Sequence, residues 1–531
     1  MPVLYDRLDA VVFAFRNSDY WDILWRAATV LVVYNIGLIV HRLFLSPLAK
    51  FPGPKLLAAT PWYETLVDIW NHDFPERLRK IHEQYGPIVR VSPWELHIND
   101  AGFIDTVFAT AAKHRTDIIA PQGLGMDVDS VGSTAQHDVH QMRRKPLDKF
   151  LSRQNVVRIQ SMIHDEIRVL DRKVAVAKGS GSALRLDHAF MAFTGDIVGQ
   201  LACGESPRLL DGPGFTPEWY NMIRGAARMI PLLRHFPVVG RLSQYAPVGI
   251  IRAIIPKSTG FRILKLLGDE RISRIHVEVQ REKQTHTEEG SSMFHHLLRS
   301  DIPETEKHPI RLSAEATSFL GAGTFPTATT LTLITYYILA QPCIETRLRK
   351  ELAAVTSEFD YQVPSWTEIE QVEYVGACIK EGLRIMRLFR RKSRISIDRE
   401  LQFNEWTIPK NARHWALHSK THANSMSPYS MHMDPSVFPE PSKFKPERWL
   451  SENLHPAMDR NLNPFLKGSR NCIGMHVAWA QMYLILATLF RPNKSYRLSL
   501  GDSDESDIVP IIDEEFGAAK HGARGLRTMV I

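Results

Sequence analysis

The chain has 531 residues, of which 44% are hydrophobic and 23% are charged, a composition typical of a folded protein with a large core. Lysine plus arginine exceeds aspartate plus glutamate by 65 to 58, and the surplus of +7 is scattered rather than gathered in a basic tail or stripe. This distribution argues against a nucleic-acid partner. The four cysteines form no CxxC pair, which excludes a disulfide scaffold or a thiolate zinc site and fits a reducing compartment.

The first element in chain order is an apolar segment over residues 23–45, which has the length of roughly 20 residues that a helix needs to cross a bilayer. We predict one transmembrane helix here, with residues 1–22 on the luminal side. Basic residues follow the segment, and the positive-inside rule places the large domain, residues 46–531, in the cytosol. This pattern is typical of a protein of the endoplasmic reticulum membrane. The alternative is a buried or interfacial helix, since Arg26 interrupts the apolar run.

The sequence FPGP at residues 51–54 cannot continue a helix and predicts a stiff elbow before the folded domain. Two short β-branched runs, residues 88–91 and 95–98, flank a Ser-Pro pair and predict a hairpin. Long amphipathic stretches dominate the rest, and they predict one large domain that is mainly α with small β-sheets. The predicted helices span residues 136–150, 156–178, 188–201, 261–284, 314–340, 341–355 and 475–490.

The strongest chemical signal is the sequence FLKGSRNCIG, which begins at Phe465 and has the spacing F-x-x-G-x-R-x-C-x-G. We interpret Cys472 as a thiolate ligand to iron, because glycines at positions Gly468 and Gly474 let backbone amides approach the sulfur closely. Phe465 is expected to cover one face of such a site, and Arg470 is expected to pair with an anionic group of the cofactor. The alternative is a buried structural cysteine before a helix.

This stretch matches the cysteine loop of the cytochrome P-450 family, which the chain resembles over about residues 43–531. Two more motifs occur in the family's order. Glu381 and Arg384 match the E-x-x-R of a helix, and Arg448 lies in the segment FPEP to PERW that precedes the cysteine loop. The resemblance implies that these three side chains form a charged network. It also implies that Cys472 is the axial ligand of haem b, iron protoporphyrin IX.

The resemblance further nominates contacts for the haem propionates. His140 and Arg144 belong to the sequence HQMRR, which is similar to a helix that grips a propionate in the family. Arg394 is a third contact by its position after the E-x-x-R motif. A surface basic residue is the alternative for each of them.

Stretches such as LAKFPGPKLLAATPWYE and YGPIVRVSPWELHI resemble ascomycete secondary-metabolism members of the trichodiene-oxygenase type. The resemblance implies a monomeric, membrane-bound monooxygenase that hydroxylates or epoxidises a lipophilic metabolite, a terpenoid, with dioxygen. It implies that the electrons come from NADPH through a membrane-bound NADPH-cytochrome reductase, which would meet a basic surface of the domain.

One departure from the family pattern is an additional stretch, residues 412–424, before the FPEP segment. We interpret it as an inserted surface loop or as a retained intron in the gene model. His414, His418 and His422 fall at intervals of four in this stretch, and on a helix they would form a metal-like stripe, which is the alternative.

The second departure lies in the helix that is expected to cross the distal face of the haem. The family usually has an acid and then a threonine where this chain has Phe325 and Pro326, and that pair normally relays protons. We predict that Thr324, Thr327, ordered water or a hydroxyl on the substrate takes over the relay, and we favour Thr327 because it is adjacent in sequence. Two alternatives stay open, namely a haem-thiolate isomerase or dehydratase, which needs no proton delivery to dioxygen, and a catalytically impaired haem protein.

Overall fold

The computed structural model describes residues 20–119, 129–245, 247–250, 259–285, 291–356, 364–388, 391–410, 422–514 and 516–531. This part of the chain is mostly helical and carries small β-sheets, which confirms the predicted fold class. The α-helices are α1 (Tyr20–Val40), α2 (Lys55–Ala59), α3 (Trp62–Leu66), α4 (Phe74–Tyr85), α5 (Ile104–Val107), α6 (His137–Phe150), α7 (Arg153–Arg158), α8 (Gln160–Val176), α9 (Leu186–Cys203), α10 (Pro217–His235), α11 (Pro237–Tyr245), α12 (Thr259–Thr285), α13 (Met293–Arg299), α14 (Pro309–Ala340), α15 (Pro342–Thr356), α16 (Trp366–Ile369), α17 (Glu373–Ile385), α18 (Pro428–His432), α19 (Pro456–Asn461) and α20 (Met475–Phe490). The strands are β1 (Ile88–Ser92), β2 (Glu95–Ile98), β3 (Thr116–Asp117), β4 (Leu184–Arg185), β5 (Lys392–Ser396), β6 (Leu401–Phe403), β7 (Trp406–Ile408), β8 (Ala423–Met426), β9 (Leu498–Leu500), β10 (Ile512–Glu514), β11 (Phe516–Ala518) and β12 (Arg527–Val530).

Three helices that are apolar on nearly every side form the centre of the domain. α14 packs along α9 and α12, and most of its side chains are buried. α9 is buried over almost its whole length, as expected for a helix without a polar face. α20, which follows the cysteine loop, packs against α8, α14, α16 and α17. The core therefore brings the cysteine loop and α14 to the same place.

The predicted hairpin is confirmed, because β1 and β2 pair antiparallel with Ile88 opposite Ile98. The hairpin continues into a sheet of order β1-β2-β8-β5-β3, in which β2 and β8 run parallel. Ala423 and Asn424 belong to β8, and Ala423 is fully buried and donates its backbone N–H to Trp94 O at 3.0 Å. The predicted surface loop over 412–424 is therefore wrong at its last two residues, because strand pairing holds them inside the domain.

Three smaller sheets complete the described strands, namely β4-β12-β9, β6-β7 and β10-β11. His414 and His418 of the histidine pattern lie outside the described residues. His422, directly before β8, is partly buried, and burial lowers its pKa.

Most predicted helices agree with the observed ones within a few residues at each end. The helix predicted over 156–178 is wrong in one respect, because two helices, α7 and α8, meet at Ile159. Ile159 has φ −94° and ψ 8°, outside the helical range. α14 begins earlier than predicted, at Pro309, a residue type that suits the first helical position.

The N-terminal helix lies outside the domain. Tyr20–Leu45, which comprises α1 and a π-helical turn, is long and apolar enough to cross a membrane, and none of the α1 residues is buried. The turn, in contrast, contacts the domain. Arg42 Nη1 donates to Ala59 O at 2.9 Å, and Arg90 Nη1 donates to the carbonyl of Arg42 at 2.7 Å. These hydrogen bonds to the folded body are made by the turn, after Val40.

Deleting residues 1–40 is expected to move the protein from the membrane fraction to the soluble fraction, because the apolar helix supplies most of the membrane affinity. The deletion keeps Arg42 and its contacts. Deleting residues 1–19 alone keeps α1 and is the matched control, which is expected to stay in the membrane pellet. The measurement is ultracentrifugation after carbonate extraction. A protein lacking residues 1–40 that pellets as fully as the intact chain would contradict this prediction.

Candidate active site

A buried carboxylate joins α17 to the segment that precedes the cysteine loop. Glu381 is fully buried, and it accepts two hydrogen bonds from Arg384, from Nε at 2.9 Å and from Nη2 at 2.7 Å. Its oxygens also accept from Arg448 Nε at 3.1 Å, Trp449 Nε1 at 2.8 Å and the backbone N–H of Lys445 at 2.9 Å. The structure thus brings together the three charged residues of the sequence motifs, and adds an indole and a backbone amide to them.

The network continues toward the cysteine loop through backbone groups. Arg384 donates to the carbonyl of His432 at 2.9 Å and to that of Lys443 at 3.2 Å. The ring of His432 accepts from the backbone N–H of Asn463 at 2.9 Å, two residues before Phe465. Burial and the charge of Arg384 lower the pKa of His432 to about 3, so its Nε2 is free of a proton and can accept. The start of the loop is therefore fixed to α17.

The loop itself turns tightly around Gly468. Gly468 has φ 74°, and a Cβ at this position would clash with the backbone oxygens of Phe108 and Ala109. Only glycine fits this conformation and this contact. Farther along, the backbone N–H of Cys472 donates to Phe465 O at 2.9 Å, which closes the loop. Cys472 is partly exposed, and it lines a cavity.

The surroundings of the Cys472 thiol act on its pKa in two directions. Burial raises the pKa of Cys472, whereas the backbone N–H of Gly474 and the charge of Arg144 act in the opposite direction. The N–H of Gly474 therefore points to the sulfur, as the sequence led us to expect. A Cβ on Gly474 would meet no atom within 4 Å, so the space beside Gly474 is open.

The cavity has a volume of about 270 Å³ and is lined by the cysteine loop, α20 and α14. The wall around the thiol is formed by Phe465, Cys472, Gly474, Val477, Ala478 and Gln481. The residues contributed by α14 are Ser318, Phe319, Ala322, Gly323, Pro326 and Thr327. Most of the remaining lining is apolar: Val198, Leu201, Ala202, Ile230, Met293 and Phe516.

Buried arginines lie beside the cysteine loop. Burial and the charge of Arg470 lower the pKa of Arg394 to about 9. Burial likewise lowers the pKa of Arg470 to about 10, although Asp117 acts against this decrease. Two nitrogens of Arg470 donate to backbone carbonyls, and its Nε has no hydrogen-bond partner within the described part of the chain. Two buried guanidinium groups therefore lie close to each other beside the cysteine loop.

His140 and Arg144, both on α6, have different surroundings. Burial and the charges of the three neighbouring arginines lower the pKa of His140 to about 2, so the ring is neutral. Arg144 donates to the carbonyl oxygen of Asn471 at 2.6 Å and to its side-chain oxygen at 2.7 Å, and its Nε donates to Asp148 at 3.0 Å. Arg144 thus binds the residue before Cys472 and holds the loop, a contact that the sequence did not predict.

These residues fit a haem. Haem needs a soft ligand for iron, apolar walls for its ring and partners for its carboxylates. The described residues offer the thiol of Cys472, an apolar cavity next to it, and buried cationic groups at Arg394 and Arg470, of which Arg470 Nε has no hydrogen-bond partner among the described residues.

On the α14 side of the cavity, Phe325 and Pro326 occupy the positions where the family usually has an acid and a threonine. Phe325 is buried and packs on Phe516, with ring centroids 5.5 Å apart. Pro326 lines the cavity inside a helix, where it lacks the N–H that would bond to the carbonyl of Ala322. Ala322 also lines the cavity.

The two threonines predicted for the relay are placed differently. Thr324 is fully buried, its hydroxyl donates to Leu320 O at 2.7 Å, and it is absent from the cavity lining. Thr327 lines the cavity, and its hydroxyl makes no hydrogen bond to any residue that the structure describes. The geometry therefore favours Thr327 over Thr324.

Sequence reasoning missed Gln481. It lines the cavity from α20, it is 1% exposed, and its Oε1 has no hydrogen-bond partner among the described residues. One signal could have found it, since Gln481 is a polar residue within the otherwise apolar run of α20. A buried polar group of this kind usually has a partner.

Comparison with known proteins agrees with the site. The family model for cytochrome P-450 matches residues 54–510. The cytochrome P-450 monooxygenase sdnH of Sordaria araneosa is 61% identical over 94% of this chain and 93% of that protein. The monooxygenase oblB of Aspergillus clavatus is 38% identical over 93% and 95%, and the fusicoccadiene C-8 hydroxylase of Phomopsis amygdali is 35% identical over 93% and 93%. The chain therefore belongs to the cytochrome P-450 family, as a haem-iron monooxygenase.

Proposed function

We propose that this enzyme hydroxylates or epoxidises a terpenoid inside the cavity between the cysteine loop and α14. The observation that carries the proposal is an apolar cavity with the Cys472 thiol in one wall. Such a cavity excludes water and suits a lipophilic skeleton. A relative whose name is that of a fusicoccadiene hydroxylase supports the terpenoid class.

The cofactor of the proposal is haem b. Cys472 would bind the iron, Phe465 and Gly474 would lie against the ring on the cysteine side, and Arg394 and Arg470 would hold the propionates. When bound, the haem supplies the iron at which dioxygen is activated. The neutral ring of His140 can add a hydrogen bond to a propionate. We assign Arg144 to the loop rather than to a propionate, because each of its three nitrogens already donates to Asn471 or Asp148.

Thr327 is the residue that we propose for proton delivery. Thr327 lines the cavity, and a hydroxyl can both donate and accept a proton within a chain of waters. Pro326 leaves the carbonyl of Ala322 available to hold such a water on the cavity wall. Phe325 cannot take part, since its ring packs on Phe516.

The cellular setting of the proposal follows from α1. We propose a single-pass anchor in the endoplasmic reticulum membrane, with the catalytic domain in the cytosol and NADPH-cytochrome reductase as the electron donor. The basic residues after the apolar helix support this orientation. The helix is long and apolar enough to cross the membrane, and the whole of the predicted site lies in the domain that follows it.

Replacing Cys472 with alanine is expected to abolish the thiolate-type carbon monoxide difference spectrum of the reduced protein, because no other described cysteine lines the cavity. The exposed Cys343 provides the matched control, and Cys343→Ala is expected to keep the full spectrum. A thiolate-type band that persists in Cys472→Ala would show that the ligand has been misassigned.

Replacing Thr327 with valine, which has the same shape, is expected to lower product formed per NADPH by about tenfold and to raise peroxide release, because the relay contributes to oxygen activation. Thr324→Val is the matched control and is expected to retain most of the coupling. The measurement uses the terpene hydrocarbon that gives the largest substrate-type spectral shift. Turnover driven by added peroxide is expected to survive in both variants. Equal coupling in Thr327→Val and the parent would rule out Thr327 as the relay.

A further inference from the structure

A second buried carboxylate lies on α14, between its N-terminus and the residues that line the cavity. Glu315 is fully buried, and its two oxygens lie 3.3 Å and 3.1 Å from the backbone N–H of Val131, which donates to them. At 3.6 residues per turn, Glu315 projects from the same face of α14 as Ala322 and Pro326, the cavity-lining residues roughly two and three turns later. A charged side chain therefore continues the cavity face of this helix beyond the cavity itself.

The partner of Glu315 belongs to a segment that forms part of the cavity wall. Ser130, Gly132 and Ser133 line the cavity, and Val131 between them is buried in the core. The segment is a single 3₁₀ turn, Val131–Ser133, with few backbone hydrogen bonds of its own. Its position relative to α14 therefore depends on contacts made from outside the turn.

An ion-pair chain starts from Glu315. Arg311, one turn earlier on α14, places Nη2 at 2.7 Å from Glu315 and Nε at 3.1 Å from Glu306. Arg143 of α6 binds the same Glu306 through Nε at 2.7 Å and Nη2 at 3.1 Å. Two carboxylates and two guanidinium groups thus alternate, and their charges balance.

Arg143, at the other end of this row of ion pairs, binds residues on both sides of the same 3₁₀ turn. Arg143 Nη1 donates to Asp129 O at 3.0 Å and to the hydroxyl of Thr134 at 2.8 Å. Arg470 of the cysteine loop donates to the carbonyls of Thr134 and Ala135 at 2.6 Å and 2.8 Å. Residues 129–135 are therefore tied at their middle to α14 and at their ends to α6 and the cysteine loop.

We propose that Glu315 is a positioning residue that holds the 129–135 segment against the cavity and so sets the size of the substrate that the enzyme accepts. The proposal rests on the proposed function, since it takes the part of the cavity next to residues 130–133, beyond the haem, to be the substrate site. Glu315 acts through Val131 and does not touch the substrate. Arg311 fixes the Glu315 carboxylate in one position. The hydrogen bond from Val131 to that carboxylate then fixes the 129–135 segment, which forms part of the cavity wall.

The chain offers a matched control for this role. Asp196 of α9 is also fully buried, and it also pins backbone amides of a 3₁₀ turn, accepting from Leu209 N–H at 2.7 Å and Leu210 N–H at 2.9 Å. Neither leucine lines the cavity. A merely stabilising carboxylate and a wall-positioning carboxylate can therefore be compared within one protein.

The experiment compares Glu315→Ala and Asp196→Ala in the haem-loaded enzyme. Hydrogen exchange of residues 129–135 is expected to rise by about tenfold in Glu315→Ala, as for the loss of one buried hydrogen bond. The dissociation constant of 4-phenylimidazole, read from its absorbance change, is expected to shift by about fivefold, whereas that of the smaller imidazole stays within about twofold, because only the larger probe reaches the displaced wall. Asp196→Ala is expected to leave both dissociation constants near those of the parent.

Unchanged exchange of residues 129–135 in Glu315→Ala, or an equal shift for 4-phenylimidazole in Asp196→Ala, would overturn the inference. If Glu315→Ala fails to fold, the same measurements are made on Val131→Pro, which removes the donor of the same hydrogen bond. Val131 is the first residue of the 3₁₀ turn, a position that tolerates proline. Absence of any azole spectrum in the parent would overturn the proposed function instead. Hydrogen exchange does not depend on that spectrum, so the two failures are distinguishable.

Discussion

A carboxylate that is removed from water needs donors for both of its oxygens, and Glu381 meets this requirement with five N–H groups from two separated parts of the chain. Removing one partner from such a buried pair costs roughly 3–5 kcal/mol. These bonds fix α17 against residues 445–449. The hydrogen bond from Asn463 N–H to His432 then fixes the start of the cysteine loop to the same part of the domain. The rest of the site is arranged around that loop.

Two kinds of contact then shape the cavity. On the thiol side the backbone sets the shape of the wall, since Gly468 permits a turn against Phe108 that no side chain would allow. On the α14 side charged side chains fix the wall, since Glu315 and Arg143 form hydrogen bonds with the 129–135 segment that lines the cavity. Apolar packing of α9, α14 and α20 brings the two sides together, and the few charged groups decide where each wall stands.

The sequence predicted the helical fold because the amphipathic periods are long, and it predicted Cys472, Glu381, Arg384 and Arg448 because each belongs to a motif of fixed spacing. It could not predict contacts between distant residues that belong to no such motif. The bond from Val131 to Glu315 joins positions 184 apart, and the binding of Asn471 by Arg144 has no local signal. The sequence favoured Thr327 over Thr324 only because Thr327 is adjacent in sequence to the usual pair. A side chain turns by about 100° with each helical residue, and only the packing shows which face meets the cavity.

The central claim is that haem occupies the space between Cys472 and Pro326 with its carboxylates among the buried arginines. An experimental structure of the haem-loaded enzyme tests it most directly. The account predicts that the iron is bound by Cys472 Sγ, and that Arg394 and Arg470 donate to the propionates while Arg144 keeps its bonds to Asn471. Propionates that point away from both arginines, or an iron bound by another residue, would contradict it.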